Sequence, residues 1–136
     1  MLSLTAPIKT RLQALPALTG WAVRTGTESA DRSVVPVADV RCTGAGVSDR
    51  KTGAVLVAPE WTLQLVVRRS DVAADQLDTA IAAVIETLHG WAPGRLGGRG
   101  WERLALTNIS EPAFADEGFA GYQLTFGTAA TYMGQQ

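Results

Sequence analysis

Residues 70–90, SDVAADQLDTAIAAVIETLHG, constrain this chain more than any other stretch, because their apolar residues recur with the period of an α-helix. Leu77, Ile81, Val84, Ile85 and Leu88 fall along one side of such a helix, and Val72 and Ala73 extend the stripe toward its start. Ser70 or Asp71 is placed to cap the first turn, Asp75 and Asp78 sit near the positive end of the dipole, and Gly90 offers a left-handed stop after His89. The opposite side carries Asp75, Gln76, Asp78, Thr79, Glu86 and Thr87, and no Lys or Arg occurs between 70 and 90. A helix of this kind requires a sheet or a second helix to cover its stripe.

The flanking sequence supplies both. Residues 4–15 place Ile8, Leu12 and Leu15 at helical spacing, with Thr5 as a possible cap and Pro7 in the first turn, which predicts a first helix ended by Pro16. A short strand is expected at 20–26, and a polar loop at 27–33. A second strand is expected at 34–42, where Pro36 marks a strand start or an edge. Residues 43–52, TGAGVSDRKT, hold two glycines and the charges Asp49, Arg50 and Lys51, and read as a long hairpin tip. Trp61, Leu63, Leu65 and Val67 then alternate with Thr62, Gln64, Val66 and Arg68, which predicts the best-buried strand, feeding into the main helix.

After that helix, residues 91–103, WAPGRLGGRGWER, contain five glycine or proline residues and read as a loop. A strand at 104–109, an acidic turn at 111–118 and a closing strand from 119 to about 130 complete the chain. The expected fold is α+β: one domain, 1–136, with an antiparallel-rich mixed sheet and two helices packed on one face, in the order α-β-β-β-α-β-β.

Composition narrows the function. With 46% hydrophobic and 18% charged residues the chain is globular, and 14 glycines with so little charge suggest surface that partners cover. A net charge of −1 argues against specific nucleic-acid binding as the main task. The single cysteine, Cys42, lies in an apolar run and reads as a small buried hydrophobe in a reducing compartment. The first residues lack the apolar core of a secretion signal, and nowhere do eighteen apolar residues run together, so no membrane span is expected and the protein is expected to be soluble and cytoplasmic when made.

Catalysis needs groups tuned by their neighbours, and few candidates exist. His89 is the sole histidine, and a helix C-terminus favours imidazolium whatever the function, so a structural role is expected. One His and one Cys make no zinc set, and no Gly-x-Ser-x-Gly elbow is present. The run GRLGGRG at 94–100 leaves a helix C-terminus and lacks the Lys followed by Ser or Thr of a phosphate loop. Trp91 and Trp101 with Arg95, Arg99 and Arg103 offer stacking and charge to RNA, but an interface loop that orders on assembly fits a neutral protein better. Asp71, Asp75 and Asp78 could hold a hard cation, yet a solvated, dipole-friendly face accounts for them. No enzymatic activity, no cofactor and no metal are therefore expected.

The stretch WTLQLVVRRSDVAADQLDTAIAAVIETL joins a Trp, alternating apolar strand residues, a short polar turn, Asp-x-Leu-Asp and a long amphipathic helix. In this it resembles the phage tail terminator family, as does the closing run EGFAGYQLTFGTAATY, in which a glycine and an aromatic lead into an alternating strand. With the N-terminal helix, the resemblance spans most of the chain, and it departs from the family at 91–103, where members can be shorter or more acidic. It implies a structural virion protein at the head-proximal end of a tail. Such a subunit forms a hexameric ring on the last ring of the major tail tube protein, ends tube growth, and presents its other face to head-completion or connector proteins.

Two opposite-sign patches are candidates for the contact between copies: Asp71, Asp75, Asp78 and Glu86 on the helix, and Arg95, Arg99 and Arg103 in the loop, with Trp91 or Trp101 as an apolar anchor. Asp49, Arg50 and Lys51 at the hairpin tip join the candidate interface. Two other classes remain: a head–tail connector or other oligomeric joint, and a small-ligand binder or enzyme in which His89, Trp91 and Trp101 line a closed pocket.

Overall fold

The computed structural model describes residues 1–25, 35–49, 53–113 and 118–135. A 3-10 turn, Leu2–Leu4, runs into helix α1, Thr5–Gln13. Leu4, Ile8 and Leu12 line one side of it and are buried, and Pro7 lies in the first turn, where a missing N–H is tolerated. Thr5 is the first helical residue rather than the cap, a position taken by Leu4 without a side-chain bond.

Six strands form one mixed sheet: β1 (Ala22–Thr25), β2 (Val37–Asp49), β3 (Ala54–Arg68), β6 (Ala105–Ser110), β7 (Phe119–Gly127) and β8 (Ala130–Met133). Its order is β1-β2-β3-β7-β6, and β8 pairs with the first part of β3 while β7 pairs with the second. β1 runs parallel to β2; the other pairs are antiparallel. Pro36 sits just before β2, where its carbonyl accepts from Ala22 N–H at 3.0 Å. This is the α+β architecture expected.

The main helix, α2, spans Ala73–Leu88, and Ala73, Leu77, Ala80, Val84 and Leu88 form its buried line. It begins two residues later than the sequence suggests. Ser70 Oγ accepts from Val72 N–H at 3.3 Å and so shapes the turn ahead of the helix, while Val72 holds the N-cap position without a side-chain bond and is 52% exposed. At the other end Gly90, with φ +82°, makes the left-handed stop. Both helices pack on one face of the sheet, against Ala38 and Val40 of β2, Trp61, Leu63, Leu65 and Val67 of β3, and Leu124 and Phe126 of β7.

Two expectations are corrected. Residues 43–49 are not a hairpin tip but strand: β2 continues past a bulge at Thr43 and pairs with β3 as far as Asp49–Val55. The apolar run at 54–60 needs a partner of equal length to satisfy its backbone, and the small residues of 43–48 supply it. Residues 91–103 are not a plain loop either. They hold a two-stranded hairpin of β4 (Gly94–Leu96) and β5 (Arg99–Trp101), turned by Gly97 and Gly98 at φ +62° and +76°, the positive values that a two-residue hairpin turn demands. The closing strand breaks at Thr128 and Ala129 into β7 and β8, which gives one strand more than expected there.

Candidate functional site

The acidic patch stands where the helix period puts it. Asp75, Asp78 and Glu86 are exposed on the outer side of α2, and Asp71 is exposed in the turn before it. None of them makes an ion pair with a described residue. Among the described residues the stripe is therefore an unpaired acidic surface about four turns long, with Arg11 beside Glu86 at its far end.

The arginines of the opposite patch are occupied locally. Arg95 donates to Gly98 O at 3.2 Å and Arg99 to Gly97 O at 2.8 Å, so both guanidinium groups brace the glycine turn. Arg99 also lies over the Tyr132 ring, 3.7 Å from its centroid. Arg103 donates to Gly90 O at 2.9 Å and ties the end of the hairpin to the end of α2. Arg95 and Arg103 stay exposed and Arg99 is half-buried, and the first task of all three is to hold the β4–β5 hairpin in shape.

The two tryptophans differ. Trp101 is 6% exposed, donates from Nε1 to Leu96 O at 3.0 Å, and meets Tyr132 edge to face at 6.3 Å. It is spent on the subunit's own core, which corrects its role as an available anchor. Trp91 is half-buried beneath the Arg11 guanidinium, 4.7 Å from the ring centroid. Of the tip residues, Asp49 ends β2, and Arg50 and Lys51 lie outside the described residues.

Arg11 is a residue that sequence reasoning missed. From α1 it donates through Nε and Nη2 to Thr87 O at 3.2 and 3.0 Å, which satisfies one of the last carbonyls of α2 and sets a cation at the negative end of its dipole. No local pattern announces this contact, because 76 residues separate the partners. It borders an open groove of about 450 Å3 lined by Arg11, Leu15, Pro16, Ala17, Ala83, Glu86 and Thr87. His89, Trp91 and Trp101 are not among its walls. His89 Nδ1 instead accepts from Leu106 N–H at 3.0 Å, pinning β6 to the helix end. Cys42 is half-buried rather than buried, with Sγ 3.7 Å from Gly44 O. Among the described residues no group of three His, Cys, Asp or Glu side chains is placed to hold a metal ion, and no helix is long and apolar enough to cross a membrane.

The sheet face away from the helices is polar and only partly exposed, and among the described residues its outer edges are unpaired. Asp39, Arg41, Thr62, Gln64, Gln123 and Thr125 alternate away from the helices, with Arg41 paired to Asp39 at 3.3 Å and the hydroxyls of Thr43 and Thr62 3.0 Å apart. This polar face offers hydrogen bonding and shape, not a tuned nucleophile.

No protein-family model matches the chain, and no curated protein does. Among solved structures it is similar to a chain in "Virion of native gene transfer agent (GTA) particle", with a TM-score of 0.66 and 18% identity over 92% of each chain. That likeness shows a shared fold over nearly the whole of both chains.

Proposed function

We propose that this chain is a structural protein of a phage-like virion, a tail-terminator-like subunit that forms a ring, caps the tail tube and offers its other face for head–tail joining. The observation that carries the reading is the match of fold, over 92% of both chains, to a component of a gene transfer agent virion particle. It meets the independent resemblance of residues 61–88 and 117–132 to tail terminators. The described residues support it further: the arginines of the hairpin are committed to bracing the fold, and the exposed surfaces include an acidic stripe and strand edges. Such surfaces suit assembly rather than chemistry, and the chain works without enzymatic activity.

The partners of the ring are further copies of this chain, about six, the tail tube protein on one side and a head-completion or connector protein on the other. The test is mass in solution combined with electron microscopy of the purified protein, alone and mixed with tail tubes. A closed ring that sits at tube ends and stops their growth is the expected result. A ring that binds only the head-side partner replaces the terminator by a connector, and a monomer with a ligand-dependent melting shift replaces both by a binder.

A further inference from the structure

Beyond the helices the sheet continues as a three-stranded arm made of residues 44–49 of β2, 54–59 of β3 and 130–133 of β8. β1 pairs only with 37–40, so among the described residues nothing pairs with the outer side of β2 from Arg41 onward. Pro59 tells which backbone groups lie on that side. It has no N–H, and its carbonyl accepts from Thr128 N–H at 3.4 Å, on the side away from β2. The Ala45–Pro59 pair is therefore of the kind that exchanges no hydrogen bonds, and alternation turns the N–H and C=O of Ala45 and Val47 outward. On the other margin Gly134 N–H donates to Gly53 O at 2.6 Å, so residues 53, 55 and 57 face β8. Ala130 and Tyr132 face back, and Thr131 and Met133 turn their groups outward.

The start of β8's outer side is covered, where Glu102 N–H donates to Ala129 O at 3.0 Å, and beyond that bond no described residue pairs with Thr131 or Met133. Neither margin carries a proline, Asp49 at the end of β2 is the one charged residue in 42–49 or 118–136, and the bulge at Thr43 precedes the exposed stretch. Val47 is 67% exposed and Met133 61%. The two margins also match. β2 and β8 are both antiparallel to β3 and hence parallel to each other, and each presents outward donor and acceptor groups every second residue.

We propose that the outer edge of β2 pairs with the outer edge of β8 in a second copy of this chain, parallel and head to tail, so that the arms of successive copies join into one sheet. The proposal rests on the ring reading above and names the contact that closes the ring. In a parallel ladder one outward residue bridges two on its neighbour, so Val47 donates to the carbonyl of Thr131 and accepts from the N–H of Met133 in the next copy. Neither margin sets a charge against a like charge. A two-fold pairing of β2 with itself would leave β8 open and stop at two copies, whereas two different edges propagate until they close.

The test compares Val47→Pro, Met133→Pro and wild type by mass in solution across a concentration series. Each proline removes an outward N–H and no bond of the arm's own ladder, so circular dichroism should show native folding. Each variant alone should raise the apparent dissociation constant of the assembly at least about tenfold. An equimolar mixture should form dimers, because one partner keeps an intact β8 edge and the other an intact β2 edge. Amide exchange at Val47 should slow on wild-type assembly. Should Val47→Pro fail to fold, Val47→Lys, which blocks the edge without restricting the backbone, gives the answer. Variants that assemble like wild type overturn the edge pairing and leave the ring reading standing. Sensitivity to the β2 change alone, with Met133→Pro unaffected, overturns the head-to-tail pairing, and a wild type that stays monomeric at every concentration overturns both.

Discussion

β3 passes through two environments within fifteen residues, and the contrast explains most of the molecule. From Trp61 to Val67 it is the centre of a covered sheet, flanked by β2 and β7 with both helices on one side, and almost every residue is buried. From Ala54 to Ala58 it is the centre of the arm, flanked by β2 and β8 and only half-buried throughout. Hydrogen bonding is similar in both halves. What differs is what lies on the faces, so the body is held by apolar burial and the arm chiefly by its ladder and by the Tyr132, Trp101 and Arg99 contacts beneath it. A protein that needs a rigid body and a joinable margin can draw both from one strand in this way.

The largest effect that exposes this contrast is in the body. Phe126→Ala removes a 1% exposed side chain packed against Trp61 and Leu106 across the sheet, and should cost about 3–5 kcal/mol in urea unfolding. Val47→Ala on the arm should stay within about 0.5 kcal/mol, since the residue is mostly in water. Equal losses at the two positions would mean that the arm is as much a part of the core as the body.

Legibility in the sequence divides along the same line. The helix at 73–88 and the strand at 61–67 could be read because burial on one face imposes a period, and the period survives in the residue types. The arm strand at 43–49 could not. With no described helix over either face, nothing selects alternation, and Thr-Gly-Ala-Gly-Val-Ser looks like a turn until its partner at 54–59 is known to need it. The β4–β5 hairpin did leave a signal, Gly97-Gly98 between equal short arms, but Arg95 and Arg99 masked it by reading as loop charges. Arg11, Trp91 and Thr87 meet through tertiary packing alone, and the acidic stripe was legible because exposure on a helix follows the same period as burial.

A middle-sized effect tests how the helices are joined. Arg11→Ala loses the bonds to Thr87 O and the stacking on Trp91, and should destabilise by about 1–3 kcal/mol with quenched or shifted Trp91 fluorescence. Arg11→Lys should recover only part of this, because an ammonium cannot reproduce the paired donation of the guanidinium. Smaller still, His89→Ala removes the acceptor for Leu106 N–H and should cost about 0.5–1.5 kcal/mol, while His89→Gln, which offers an amide oxygen, should restore most of it. If assembly is lost in a His89→Gln protein that folds normally, the residue has a role beyond bracing, and the reading of this chain as free of catalytic chemistry is wrong.

The smallest and most condition-dependent effect concerns the two charged patches, and it sharpens the contrast between edge and surface as routes to assembly. The α2 stripe makes no ion pair with a described residue, whereas Arg95 and Arg99 are already tied to the glycine turn, so their pairing across copies would use the positive charge without releasing the brace. Such long-range attraction sets encounter rate and orientation and is screened by salt, while backbone pairing at Val47 is not. The double change Asp75→Lys with Asp78→Lys should therefore slow assembly at low ionic strength, and the difference from wild type should vanish at high salt. The Val47→Pro defect should persist at both. Adding Arg95→Glu and Arg99→Glu to the reversed helix should restore the rate only in part, because each also loosens the β4–β5 turn. If the helix reversal has no effect on the assembly rate at the lowest salt, the acidic stripe faces solvent or another partner in the assembled ring.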